Sequence, residues 1–453
     1  MTPDLPAVDL LIVGAGPAGI AAAVEAAEWG LSVVLLDENP APGGRIWQAL
    51  ETRGAKDAED AAALSLIRRL RASRVDARYG AVVWAIERDR QVFWSQGGAA
   101  QHRTPTKILL ATGTIERPVP IPGWTLPGVM TVGAAQIALK TGGLVPSGQT
   151  WLAGQGPLLL LYATQALAAG GTIAGVMDLS DGLAPVRAAA HARLSVLPEV
   201  LKGLAWRRMI ADAGVPWLAA RNIRAGGDGR LEWIEALVDG AWRRFAADTL
   251  LLHDGVIPST QMTAAVRCTH EWSEPQRCWR PIVDAWGATS VPDVLVAGDG
   301  AGIGGALAAV TAGRIAALGV AHALGRVGTA ERDLAVAPLR AERDRHLAVR
   351  PFLDALFEPL ALQPADETVV CRCEEVTAGA VRAAAAGGCQ GMNQLKAYTR
   401  CGMGPCQGRQ CGPVALDVLA EARGVPVNAV EPLRARFPTK PIPLEDLVSL
   451  SAE

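Results

Sequence analysis

The chain has 453 residues, half of them hydrophobic, with 43 Lys and Arg against 45 Asp and Glu for a formal net charge of -2. That length suggests about three domains and more than one core, and the near-neutral balance argues against nucleic acid or another polyanion as partner. No window reaches 18 consecutive apolar residues, because the richest run, 157–169, is interrupted by Tyr162, Thr164 and Gln165, so no transmembrane segment is expected.

The N-terminus carries acids and proline where a secretory leader would be basic and then apolar, which implies a cytoplasmic location with free thiols. The first element is a buried strand, Val8 to Val13, followed by the turn Gly14-Ala-Gly16-Pro17-Ala18-Gly19 and an Ala-rich helix to Gly30. A second strand runs from Leu31 and ends at Asp37, with Glu38 next to it. This is the dinucleotide fingerprint in its required strand-turn-helix-strand setting. Gly14 permits the tight turn, Gly16 lets a pyrophosphate approach the backbone, Gly19 lets the helix pack on the strand, and Asp37 is placed for ribose hydroxyls.

Three later motifs point to FAD. Pro42-Gly43-Gly44-Arg45-Ile46-Trp47 resembles the second glycine element of flavoproteins with two dinucleotide domains, and the strand end Ala111-Thr112-Gly113 resembles their Ala-Thr-Gly motif. Far downstream, Val294 to Gly302 resembles the motif in which an aspartate, here Asp299 after Gly298, contacts the ribitol and pyrophosphate. The FAD domain is therefore split, residues 1–120 and 250–335. Between its parts, 121–249 forms a second Rossmann-like domain around Gly154-Gln-Gly156-Pro-Leu-Leu159, where leucine replaces the third glycine and the next strand ends at Asp178. That degenerate loop implies loss of hydride chemistry with NAD(P)H, although the site could still take an adenine nucleotide.

Residues 336–367 read as a charged connecting helix, centred on 340–350, and a linker. The segment 368–430 is compact and holds Cys371-Arg-Cys373 and Cys401-Gly-Met-Gly-Pro-Cys406-Gln-Gly-Arg-Gln-Cys411, with 431–453 as a tail. Clustered thiols in a reducing compartment indicate a metal, and soft thiolates suit an iron–sulfur cluster or zinc. Cys371, Cys373, Cys406 and Cys411 are taken as the ligands. Cys401 with Cys406 has the same spacing and remains an alternative, as does structural zinc. Helices are expected at 377–387, capped by Thr377, and at 414–424, ended by Gly424. The six histidines show no metal-ligand spacing, and only His253, at a strand end, merits attention. Cys268, Cys278 and Cys389 read as buried thiols.

The phrases 111–130, 298–305 and 399–411 together make the chain resemble the A subunits of opine (octopine and nopaline) oxidases, of related heteromeric D-hydroxyproline and proline dehydrogenases, and of hydrogen cyanide synthase. The helix-loop-helix with cysteines at its ends resembles a bacterioferritin-associated-ferredoxin-like [2Fe-2S] domain. The resemblance implies an α/β protein with two Rossmann-like domains of the glutathione-reductase-like flavoprotein fold and a small helical [2Fe-2S] domain. It also implies that an amine is oxidised in a separate D-amino-acid-oxidase-like flavoprotein beta subunit, while this chain carries FAD and the cluster. It leaves room for FMN at a subunit interface, for a small ferredoxin-like [2Fe-2S] subunit, and for membrane association through the electron acceptor. No acid–base pair or nucleophile constellation for C–N oxidation is found in the sequence, so no catalytic residue is assigned. The rival reading is a stand-alone NAD(P)H-dependent reductase, against which Leu159 counts.

Overall fold

The computed structural model describes residues 7–451. Its first sheet has five parallel strands in the order Val294–Val296, Lys107–Leu110, Leu10–Val13, Val33–Asp37, Asp76–Tyr79. All four residues of Leu10–Val13 are buried, which explains why this strand lacks polar alternation. One face is covered by the helices Pro17–Glu28, Ala58–Ala72 and Ala306–Ala323. The other packs on an antiparallel sheet of Val82–Ile86, Val92–Gln96 and Ala99–Arg103. The central strand Leu10–Val13 has the second strand of the fingerprint on one side and Lys107–Leu110 on the other, so the crevice at its C-terminal end is a topological switch point. The helix 306–323 is long and apolar enough to cross a membrane, yet here it is a core helix, packed so closely that a Cβ on Gly313 would lie 2.1 Å from the Ala18 carbonyl oxygen.

The second sheet has seven strands, in the order Ala241–Ala246, Trp233–Val238, Trp217–Gly226, Gly175–Asp178, Thr150–Gln155, Thr249–Asp254, Val129–Thr131. Here the structure departs from the expected boundary. The strand Thr249–Asp254 pairs in parallel with 150–155 and 129–131, so Leu250 belongs to the second domain. The chain crosses back just afterwards, where Val256–Pro258 pairs antiparallel with Thr114–Glu116. A hydrophobic run alone could not reveal which of two similar sheets a strand joins.

The cysteine segment holds a small two-stranded ladder, Val369–Cys371 with Val376–Thr377, and three helices, Ala378–Ala386, Met392–Thr399 and Cys411–Arg423. Thr377 caps the first, accepting from the Ala380 N–H, and Gly424 ends the last in the left-handed region. The middle helix was not expected, since its eight residues bury only Met392 and Leu395 and give little periodicity. The connecting helix is longer than anticipated, Thr329–Leu347 with Pro338 inside it, and a separate helix, Arg350–Leu356, follows. The tail returns to the first domain: the Thr439 N–H donates to the Trp84 carbonyl at 2.9 Å, and the Ala100 N–H donates to Ser449 Oγ at 2.9 Å.

Candidate functional site: a dinucleotide pocket walled by the cysteine loop

At the switch point the first domain opens into a cavity of about 610 Å³, lined by Gly14, Gly16, Pro17, Ala18, Asp37, Glu38, Gly44, Arg45, Ala111, Thr112, Gly113 and Asp299. Gly19 and Gly298 lie behind this wall and act through packing. A Cβ on Gly19 would sit 1.8 Å from the Gly14 carbonyl oxygen, and one on Gly298 would sit 2.8 Å from the Ala18 methyl. Gly14 itself is at φ +106, with the Ala111 carbonyl 2.4 Å from where a Cβ would stand. Gly16 differs. Its nearest neighbour would be Gly44 Cα at 3.9 Å, so its bareness keeps space free on the pocket side, at the N-terminus of helix 17–28.

The carboxylates divide their work. Asp37 accepts from the Ala15 N–H through one oxygen and from the Asn39 N–H and side-chain amide, both at 2.7 Å, through the other. Asp299 accepts the Gly304 and Gly305 N–H groups at 2.9 Å through Oδ1 only, which leaves Oδ2 for a ligand, and burial holds its carboxyl above the ordinary range. Glu38 forms an ion pair with Lys440 of the tail and faces Arg45 at 3.8 Å. These features fit FAD: glycine backbone at the pyrophosphate position, a helix N-terminus, and carboxylates at both ends of the cavity.

Pro405 and Arg409 of the cysteine loop, and Lys440 and Pro441 of the tail, complete the pocket wall. None of these four was expected in this pocket; Arg409 stood out in the sequence only as one of the basic residues near the cysteines. Arg409 donates to the Cys406 carbonyl at 3.1 Å and to the Thr439 carbonyl at 2.9 Å, so one guanidinium ties the cysteine loop to the residue before Lys440. The cysteine domain is also fastened by Trp124 Nε1, which donates to the Val369 carbonyl at 2.6 Å, and by the Arg277 pair with Asp417 at 3.0 Å.

The sulfurs of Cys371, Cys401 and Cys411 lie within 4.8 Å of one another, all buried. Cys406 hydrogen-bonds to Cys411 on one side and Cys373 on the other, and Cys373 is exposed. The close group thus contains Cys401, set aside on spacing, together with Cys371 and Cys411 of the expected set, while Cys406 and Cys373 of that set lie beside it rather than within it. The loop closes tightly because Gly404 has no side chain: a Cβ there would lie 2.1 Å from that of Cys373. Thiol donation from Cys401 and then Cys411 draws Cys371 down to about 2, and Cys406 falls to about 5, chiefly through Cys411. Cys401, donating to Cys371, is pushed up to about 12, and Cys411 is raised as well. Such proton-sharing thiols are a donor set suited to a soft metal centre. Cys268, Cys278 and Cys389 are buried elsewhere, and burial pushes the Cys278 thiol up to about 11.

In the second domain the loop is built but engaged by the chain itself. Gly154 and Gly156 have φ of +138 and +112, while Leu159 is fully buried among Leu152, Val176 and Leu251. Asp178 accepts the Ser180 N–H at 3.0 Å and Trp217 Nε1 at 2.9 Å. Gln155 donates to Asp254 and to the Glu358 carbonyl, the Leu360 N–H donates to Asp254, and Arg187 pairs with Glu358 at 3.2 Å. His253 Nδ1 lies 2.6 Å from Glu116, which also accepts the Gly133 N–H, so this buried histidine ties the two domains together.

Fold and pocket define a flavoprotein oxidoreductase with two dinucleotide domains, and residues 8–323 match the family described as pyridine nucleotide-disulphide oxidoreductase. Residues 365–449 match the sarcosine oxidase A3 domain. The chain is 39% identical to the A subunit of opine oxidase from Rhizobium meliloti (strain 1021), over 98% of each chain. It is 41% identical to the corresponding opine oxidase chain of Agrobacterium tumefaciens (strain Ach5), over 98% of this chain and 92% of that one. With hydrogen cyanide synthase subunit HcnB of Pseudomonas aeruginosa it shares 35% over 98% and 99%. The crystal structure of L-proline dehydrogenase from P. horikoshii superposes with a TM-score of 0.71 at 18% identity, covering 98% of this chain and 79% of that one, which shows a shared fold. The chain belongs to the family of opine oxidase A subunits, within the pyridine nucleotide-disulphide oxidoreductases.

Proposed function

We propose that this chain is the FAD- and [2Fe-2S]-bearing electron-transfer subunit of a heteromeric amine dehydrogenase or oxidase that acts on the CH–NH group of a secondary amine, an opine or a proline derivative. The amine is oxidised in a partner flavoprotein subunit of the D-amino-acid-oxidase type, and this chain passes the electrons on. The observation that carries the reading is the shared wall: Pro405 and Arg409, from the loop that holds Cys406 and Cys411, line the same cavity as Gly16 and Asp299. When bound, flavin would supply a two-electron carrier and the cluster a one-electron carrier.

The roles of the chain's own residues derive from that wall. Gly14, Gly16 and the amides that open helix 17–28 receive the pyrophosphate, Asp299 the ribitol, and Glu38 with Lys440 the adenosine end. The cluster ligands come from Cys371, Cys373, Cys401, Cys406 and Cys411, and Cys401 enters the set because its sulfur stands with those of Cys371 and Cys411. FMN at the subunit interface and a small ferredoxin-like [2Fe-2S] subunit complete the assembly in this reading. The stand-alone NAD(P)H reductase is disfavoured because Gln155, Asp254 and Asp178, the polar groups around the second loop, bond to the chain's own 358–360 segment and to Trp217 and Ser180.

Anaerobic mixing separates the two readings. The purified chain should keep its flavin absorbance with NADH or NADPH, and should lack turnover of octopine, nopaline or D-hydroxyproline. Dye-linked turnover of one of these amines should appear after reconstitution with the partner flavoprotein subunit. Rapid flavin bleaching by NADH, or amine turnover by the isolated chain at the rate of the complex, would overturn the proposal.

A further inference from the structure

The helix Leu197–Asp212, with the 3-10 turn Leu194–Val196 leading into it, carries two apolar stripes where a surface helix needs one. Val196 and Ile210 are buried, and Trp206 packs with Ile210 on the core beside Leu159 and Leu160. The second stripe points outward. It consists of Leu194, Leu197, Leu201 and Leu204, exposed to 92, 51, 56 and 59%. Steps of three, four and three residues place these leucines on one line, the pattern of a coiled-coil seam, which the apolar face of another helix matches. Among the described residues no element of this chain covers it, and four adjoining leucines in solvent mark an interaction site rather than ordinary surface scatter.

The flanks say what kind of partner fits. Between 193 and 208 there are four cations, Arg193, Lys202, Arg207 and Arg208, and one acid, Glu199, in a chain whose net charge is -2. Arg207 is engaged internally, over the Trp217 ring and 3.9 Å from Asp178, and Arg208 faces Asp212 at 3.7 Å. Lys202 lies over the Trp206 ring at 5.2 Å, and neither it nor Arg193 has a carboxylate partner among the described residues. A second copy docked antiparallel on the same seam would set Arg193 against Arg208 across the contact, and a parallel one would align like charges throughout. A different protein with an apolar helix and acidic flanks meets no such repulsion.

We propose that this leucine seam is the docking surface for the amine-oxidising partner subunit, through a helix whose apolar stripe is bordered by Asp and Glu. This rests on the heteromeric reading above, and on the fact that relatives matching the full chain are themselves named as subunits. The seam is also mechanically connected to the redox pocket. The helix just before it, Ala184–Ala189, packs on Arg350–Leu356 and is tied to Glu358 through Arg187. Arg350 and Asp354 in turn line a cavity together with Asp299 and Gly304.

The test compares the free chain with the heteromer purified from the organism that makes it, the partner being identified by mass spectrometry. Amide hydrogen exchange across 194–208 should slow in the heteromer. The double variant Leu201→Glu, Leu204→Glu changes only exposed side chains and should retain its flavin content and melting temperature. It should weaken assembly by about a hundredfold or more, since two central apolar anchors are replaced by charges. Leu334→Glu, at a position 79% exposed on helix 329–347, should leave assembly unchanged. Normal assembly of the double variant with unprotected 194–208 overturns the docking assignment and leaves the electron-transfer reading standing, whereas the lack of any partner overturns both. Self-association of the free chain that the double variant abolishes would assign the seam to a second copy. Binding to phosphatidylglycerol–phosphatidylcholine vesicles, lost in the variant while heteromer assembly persists, would assign it to a lipid surface; either result overturns the proposal.

Discussion

Replacing Gly16 by Val separates a binding glycine from a folding glycine, because the three glycines of the fingerprint meet different surroundings. A Cβ at Gly19 would strike the Gly14 carbonyl oxygen at 1.8 Å, and one at Gly14 would meet the Ala111 carbonyl at 2.4 Å in a backbone conformation that side chains avoid. Both changes act on the fold. At Gly16 the backbone is extended, φ -80 and ψ -172, and the nearest atom to a Cβ is 3.9 Å away. Gly16→Val should therefore fold with a melting temperature close to that of the parent. Its methyl groups would occupy the place where a pyrophosphate meets the amides opening helix 17–28. Losing two charge-assisted hydrogen bonds at about 1.5–3 kcal/mol each gives about 3–6 kcal/mol, a rise in the FAD dissociation constant of roughly 10² to 10⁴. Flavin fluorescence on ultrafiltration gives the constant, and circular dichroism gives the melting curve. Full flavin occupancy in Gly16→Val would refute the assignment of this loop to the pyrophosphate.

Three further outcomes are expected. The anaerobically purified protein should contain about two iron and two sulfide per chain; Cys401→Ser should lose them along with the visible absorbance, and one zinc without sulfide would defeat the cluster assignment. Lys440→Ala should loosen FAD only about two- to sixfold, since the Lys440–Glu38 pair is 31 and 40% exposed and solvent screens it, and titrations at 0.05 and 0.5 M NaCl should show the difference shrinking. Burial pushes the Lys140 ammonium, which donates to the Ile46 carbonyl at 2.9 Å, down to about 8 from 10.5. Between those values the unfolded chain binds the extra proton, so this group makes stability rise with pH, and urea melts of Lys140→Met should lack that rise.

The phosphate loop was legible because its chemistry is local. Glycines at fixed spacing, a buried strand and a terminal acid sit within 30 residues, and all but Gly19 and Gly298 of the fourteen expected residues line one cavity. Two kinds of feature escaped. One depends on pairing across distance: the strand Thr249–Asp254 is apolar like any buried strand, and only its register with Thr150–Gln155 assigns it to the second sheet. The other depends on tertiary approach. Lys440 lies in a tail without periodicity and reaches Glu38 only because Thr439 is held by Trp84 and Arg409. Cys401 belongs here as well. Both cysteine pairs, 401 with 406 and 406 with 411, have the same spacing, so distance along the chain could not choose between them, and the approach of Cys401 to Cys371 and Cys411, which brings it into the proposed ligand set, is a tertiary feature.

The wall shared by the two sites gives the C-terminal attachment a physical reason. If the cysteines hold the proposed one-electron centre, it would serve a two-electron cofactor only at short range and in fixed geometry, and a flexibly tethered domain would supply neither. Here the cysteine domain is held by Trp124, Asp417 and Arg409, while the tail beyond it is pinned to the strands that flank the pocket. The 358–360 segment on the way to that domain bonds to the second loop through Gln155 and Asp254. The same stretch of chain that leads to the cysteine domain thus occupies the Gln155 amide and the Asp254 carboxylate beside the second loop. In the proposed electron-transfer reading, a hydride donor that used Gln155 or Asp254 would have to displace those bonds, whereas electrons from a separate subunit would not.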